Sequence, residues 1–361
     1  MLYTYPDYYK KFYCLMDKCP KSCCEGWQIV IDENTIEKYM SCESYFGNRL
    51  KNSVEFDKGV YKQYNKRCAF LNEDNLCDIH IEAGREMMCD TCKNYPYHTE
   101  EFENEREISL ALSCPMVAKM VLSNKNKVSF ITVEDDKEDV EDDDFDFFLY
   151  SALEQSRKVI LEIIQNRNED IFIRINKVFI LCEKIQECID ENNIFNIENI
   201  LVEYEEKFKN EEIETIYEKW INKDNAKKIL RLLNEFELLD EKWNEDKERW
   251  NKLICEKNID LSFEVNSQIQ LEQILVYFIY VYFSGGVYDY DIISKIGISV
   301  LSTYIWDIIC KLQKSILKDR FCENDKVELA WRYSRELEHS DINIERMEEI
   351  INKYNLINIY L

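Results

Sequence analysis

Seven glycines and four prolines in 361 residues leave this chain few places to turn sharply. Barrels, sandwiches and glycine-rich nucleotide folds need tight turns at short intervals, so the scarcity points to helices. Hydrophobic spacing agrees from Phe147 onward. Phe148, Ala152, Val159, Ile160, Ile163 and Ile164 recur at i, i+4 and i+7 type intervals, the signature of one helix face. Residues 171–189, 197–208, 226–239, 271–283, 298–317 and 327–338 read the same way. The breaks between them are Asn- and Asp-rich, as at Asp190 to Asn193, which suits helix ends.

The cysteines divide the chain differently. Ten of the fifteen precede residue 115: Cys14, Cys19, Cys23, Cys24, Cys42, Cys68, Cys77, Cys89, Cys92 and Cys114. The expected fold is therefore mainly α, with a loop-rich Cys-cluster N-terminal module over 1–122 packed on a multi-helix domain over 147–361. A short strand is expected at 28–31. Between the two parts, 123–146 reads as an acidic linker or loop. Its stretch from Glu134 to Asp146 carries ten acids and one lysine, whose mutual repulsion opposes packing.

The net charge of −25 repels nucleic-acid phosphates and anionic lipid, and no run of four Lys or Arg offsets it. Neither nucleic acid nor membrane is an expected partner. A lysine-bearing protein or a sulfonium cofactor suits the charge, although plain solubility also accounts for it. The N-terminus lacks an apolar leader segment, and the best uncharged run, 274–287, is too short to span a bilayer. The expected location is cytoplasmic, where a disulfide framework is disfavoured.

Soft thiolates suit zinc or an iron–sulfur cluster, either of which needs about four of them brought together. The local spacings are Cys14-x4-Cys19-x3-Cys23-Cys24 and Cys89-x2-Cys92, with Cys68, Cys77 and Cys114 isolated and Pro115 following the last. Adjacent Cys23 and Cys24 diverge on a helix and on a strand, so both ligate only from a loop or at two centres. Some of these cysteines are equally explained as small buried hydrophobes. Their density favours metal, iron–sulfur over zinc, with zinc kept as the alternative. Gly26 breaks the C-x3-C-x2-C pattern begun by Cys19 and Cys23, and no G-x-G-x-x-G, P-loop, G-x-S-x-G or H-E-x-x-H occurs.

A second concentration of chemistry lies at Tyr333, Arg335, Glu336, Glu338 and His339. On a helix, Glu336 and His339 share a face, as do Arg335 and Glu338. An acid beside an imidazole suits proton transfer, and a salt-bridged helix surface explains the same spacing.

Several blocks carry a resemblance. FYCLMDKCPKSCCEGWQIVID, the stretch from Cys68 to Pro96, LALSCPMVAKMVL, the segment around Gly285-Gly286, and YSRELEHSDIN resemble the flagellin lysine-N-methylase family in the same order. The resemblance implies methyl transfer from S-adenosyl-L-methionine to surface lysines of flagellin, with an iron–sulfur cluster, [4Fe-4S], held by N-terminal cysteines. The cysteines within its blocks are Cys14, Cys19, Cys23, Cys24, Cys68, Cys77, Cys92 and Cys114. Eight exceed the four of one cubane, which leaves two centres or some structural thiols, and Cys42 and Cys89 stand as extras. The expected base or orienter is Glu336 or His339. Tyr333 or Tyr288 would shape an aromatic slot, and Trp27 and Arg335 would contact the cofactor. The rival reading is a non-enzymatic Zn- or Fe-binding acidic adaptor. A redox pair at Cys89 and Cys92 is a third.

Overall fold

The computed structural model describes residues 1–136, 144–206, 212–262 and 267–354. It is mainly α, as the scarcity of turn residues requires. The part of the acidic run at 137–143 lies outside the described residues.

The principal helices are α1 (Pro115–Ser123), α2 (Phe147–Ile164), α3 (Ile171–Asp190), α4 (Glu241–Glu256), α5 (Gln268–Tyr282), α6 (Ile292–Leu317), α7 (Glu323–Glu338) and α8 (Asp341–Tyr354). Acidic residues start several of them. Asp146, Asp170, Asp240 and Asp291 accept from N–H groups of α2, α3, α4 and α6, filling acceptor needs the first turn leaves open. α5 and α6 are apolar almost all round, so each is buried by neighbours on every side. α6 is long and apolar enough to cross a membrane, yet 94% of its apolar window is buried inside the fold. It is the core helix, packed by α3, α5, α7 and α8.

Several charged groups are buried in pairs. Glu272 on α5 is fully buried and meets Arg174 at 2.8 Å and Arg167 at 2.7 Å. Arg157 on α2 pairs with Glu107 and ties the helices to a sheet.

That sheet was not legible in the sequence. Its strands are β1 (Leu2–Pro6), β2 (Tyr97–Phe102), β3 (Glu105–Leu110) and β4 (Phe130–Glu134), in the order β2-β3-β1-β4. β1 runs parallel to β3 and antiparallel to β4, and β2 and β3 form a hairpin. The expected strand at 28–31 is only a single bridge, Val30 to Val60.

Two cores result. The smaller is built from residues 29–92, including Ile29, Tyr39, Leu50, Tyr61, Phe70 and Cys89. The larger joins Phe102, Leu110 and α1 to all the later helices. Residues 1–122 thus contribute to both.

Candidate active-site cleft

A cleft of about 930 Å³ opens where β2, the 111–113 loop, α5 and α7 meet. Its size is that of a small-molecule site. One wall is aromatic, with Trp27, Tyr95, Tyr97, Tyr277 and Tyr282. At its base stands the half-buried Glu338, the last residue of α7. Tyr277 donates to its carboxylate at 2.8 Å, Tyr282 donates at 3.4 Å, and Ser334, one turn back, donates as well. Desolvation pushes the Glu338 carboxyl above the usual range, against the pull of these hydroxyls. On β2, the side chain of His98 bonds Glu100, and that bond raises the imidazole pKa.

His339 lines the same cleft. Its Nε2 and the Ser113 hydroxyl lie 2.9 Å apart, and Tyr95 shares that hydroxyl at 3.2 Å. The imidazole packs against Trp27, tilted by 40° with centroids 4.6 Å apart. Burial, aided by the nearby Arg335 charge, lowers its pKa to about 3, so it stays neutral at physiological pH. Trp27 is set by Nε1 donating to the Cys23 carbonyl at 2.8 Å. Gly26 just before it has φ +88, a turn a side chain would strain.

The other expected residues are elsewhere. Glu336 does not reach the cleft. Its carboxylate accepts from the N–H groups of Leu239 and Asp240 at 3.1 and 2.8 Å, at the start of α4, and burial pushes its pKa up to about 7. Tyr333 is a core residue whose hydroxyl bonds Ser302. Tyr288 stands outside the sheet, donating to the Glu101 carbonyl at 2.6 Å and stacking on Phe102. Arg335 neither pairs with Glu338 nor enters the cleft. It lies over Trp331 and donates to the carbonyls of Ser113 at 3.0 Å, Ser22 at 3.3 Å and Lys21 at 3.4 Å. It therefore ties the Cys19–Cys24 loop to the loop before Cys114.

Glu338, Tyr277, Tyr282 and Ser113 were missed as site residues. All four fall within blocks already singled out in the sequence. Their convergence is tertiary, because Tyr277 and Glu338 are 61 residues apart.

Among the described residues, no group of three or more His, Cys, Asp or Glu side chains is arranged to hold a metal ion. The thiols nevertheless gather in two neighbourhoods. Cys68 and Cys89 belong to the smaller core, with Cys24, Cys42, Cys77 and Cys92 packed against it. Cys89 and Cys92 hydrogen-bond each other, and the Cys23 and Cys24 sulfurs are 4.0 Å apart. Cys114 lies on the larger core, close enough to Cys14 and Cys19 for their charges to interact. The Cys42 thiol is taken up by Ser44. Cys89, expected as an extra, sits with the family thiols. Burial raises the pKa of Cys68, Cys77 and Cys114, which a nearby cation would reverse.

A second cavity, about 610 Å³, lies beside the C-terminal half of α6 around Lys318, Lys326 and Glu323. None of the expected site residues lines it.

The FliB lysine N-methylase C-terminal domain family matches residues 157–360. Over 135 residues the chain is 26% identical to a lysine-N-methylase of Salmonella typhimurium, covering 35% of this chain and 34% of that protein. The same identity over the same length relates it to the flagellar biosynthetic protein FliU of Salmonella muenchen, of which 80% is covered. A lysine-N-methylase of Salmonella choleraesuis is likewise 26% identical over 135 residues, 35% of this chain and 34% of that protein. The chain thus spans about a third of the length of the two lysine-N-methylases it matches. No solved structure matches.

Proposed function

The chain belongs to the FliB lysine N-methylase family, and on that premise we propose that it is a protein-lysine N-methyltransferase acting in the cytoplasm on flagellin. The observation that carries the reading is the Glu338 carboxylate, held by three hydroxyls at the base of an aromatic cleft. A lysine side chain is a long apolar stem with a cationic head, and an aromatic slot ending in a carboxylate complements both. The flagellar name of the FliU relative supports flagellin as the substrate, and the net charge of −25 suits a lysine-bearing surface.

Methylation needs a neutral amine. Glu338 accepts the ammonium proton, while Tyr277 and Tyr282 hold the carboxylate in place. The freed nitrogen lone pair forms the new N–C bond as the S–C bond of the donor breaks and its electron pair stays on sulfur. S-adenosyl-L-methionine, when bound, supplies that electrophilic methyl as a sulfonium. The aromatic wall of Trp27, Tyr95 and Tyr97 fits such a cation. Neutral His339, locked between Trp27 and Ser113, shapes the wall rather than moving a proton.

A single tetrahedral ion needs sulfurs about 3.8 Å apart, a spacing that the Cys23 and Cys24 pair approaches at 4.0 Å. Iron–sulfur clusters take one thiolate per iron, so their ligands stand further apart. The density of cysteines in the sequence is what keeps an iron–sulfur cluster ahead of zinc here. Its ligands would be drawn from Cys14, Cys19, Cys23, Cys24, Cys68, Cys77, Cys92 and Cys114, four to a cubane, with Cys89 added as a candidate by its place in the structure. A cluster would supply either an iron for the cofactor's amino and carboxylate groups or a staple for the loops.

The test is iron, sulfide and zinc per chain after anaerobic purification, followed by incubation with S-adenosyl-L-methionine and flagellin and mass spectrometry of the lysines. Methylated lysine and iron with equal sulfide support the reading. Metal-loaded protein that neither binds the cofactor nor methylates flagellin would make it a metal-stapled adaptor instead.

A further inference from the structure

β2 is the edge of its sheet, and Tyr97 to Glu100 line the cleft together with Ile108 and Ser109 of β3. The parity of its backbone can be read directly. Ala111 N–H donates to the Pro96 carbonyl at 2.7 Å, so Pro96, His98 and Glu100 turn their backbone groups toward β3. Tyr97, Thr99 and Glu101 then turn theirs outward. The Glu101 carbonyl confirms this, because it is met from outside by the Tyr288 hydroxyl. Among the described residues, no partner takes the outward backbone groups of Tyr97 and Thr99. Such an edge is a template for another strand.

The side chains alternate likewise. His98 and Glu100 share the face of Phe102, and the charges of His98 and Glu338 interact across the cleft. Glu100 and Asp341 add negative charge to the walls.

We propose that an extended, lysine-bearing segment of the protein substrate docks by adding a strand to the free edge of β2. Its backbone bonds Tyr97 and Thr99, and a lysine on the side facing α5 and α7 descends to Glu338. Main-chain bonding supplies affinity without demanding a sequence, while the acidic cleft selects the lysine. The inference rests on the Glu338 reading for its endpoint, but the docking mode is separately testable.

The experiment titrates the full-length protein, without methyl donor, against a fluorescein-labelled nonapeptide of alternating Val and Thr around a central Lys. Two analogues carry backbone N-methyl groups on alternate amides, in opposite phase. One phase should weaken binding at least tenfold and the other should leave it nearly unchanged, since a strand bonds its neighbour through every second residue. Thr99→Pro, which removes an outward N–H and spares the ladder to β3, should weaken the parent peptide similarly. If that variant misfolds, the peptide series decides alone. Equal binding by both analogues overturns the proposal. So does sedimentation showing that the edge pairs with a second copy of this chain. Phase-dependent binding together with undiminished methylation by Glu338→Gln would keep the docking and remove the Glu338 reading.

Discussion

Glu338→Gln separates proton removal from every other contribution of the cleft. The substitution keeps the side chain's size, and the amide oxygen still accepts from Tyr277 and Tyr282, so the cleft retains its shape. What is lost is the acceptor for the ammonium proton. Free lysine has a pKa of about 10.4, so at about pH 7.5 only roughly one side chain in 800 is neutral, a penalty of about 4 kcal/mol. Without Glu338 the reaction draws on that fraction. The expected fall in single-turnover rate is ~10²- to 10³-fold, within the usual range for a lost general base. The deficit should then shrink about tenfold per pH unit as bulk hydroxide takes over the deprotonation, and nearly vanish by about pH 10. In the unsubstituted enzyme, the rate should rise with pH through a value above the ordinary carboxylate range, because burial raises the Glu338 pKa. Methyl incorporation into a lysine peptide, followed by mass spectrometry from about pH 5 to 10, measures both profiles. A deficit independent of pH, or smaller than about threefold, would refute the role.

Glu272→Gln removes the carboxylate that, among the described residues, alone pairs with the fully buried Arg174, and urea unfolding should register a loss of about 3–5 kcal/mol. Glu336 holds its proton more tightly folded, with a pKa near 7, than unfolded. Over the window from about pH 4.3 to 7 the unfolded chain binds fewer protons, so stability falls as pH rises, by on the order of 3 kcal/mol. Glu336→Gln should flatten that slope in denaturation curves taken across the window. Arg335→Met deletes three bonds to carbonyls, one near-ideal and two long, and should cost about 2–4 kcal/mol. It should also slow the reaction of Cys23 with a thiol-specific disulfide dye, because the Arg335 charge helps lower that thiol's pKa, whereas Arg335→Lys should restore part of the rate.

How much of this was legible in the sequence follows from the range of the forces involved. Helix formation is set by neighbours within a few residues, so the spacing of Ile and Leu announced α2, α3, α5 and α6 directly. Fifteen cysteines announced thiol chemistry, and the stretch from Tyr333 to His339 was marked as a site. Which of its side chains faces the cleft was a different matter. α7 carries Tyr333, Glu336 and Glu338 around its circumference, and only the helices packed against it decide that Tyr333 points to Ser302, Glu336 to the start of α4, and Glu338 to Tyr277. β1 pairs with β3 across about a hundred residues, and its alternation is too weak to show which strand it will meet. Composition and periodicity therefore determined by themselves that the chain is helical, acidic and rich in thiols. The cleft, the carboxylate at its base and the open edge beside it were decided by long-range packing, because each is made of groups that become neighbours only when the chain has folded.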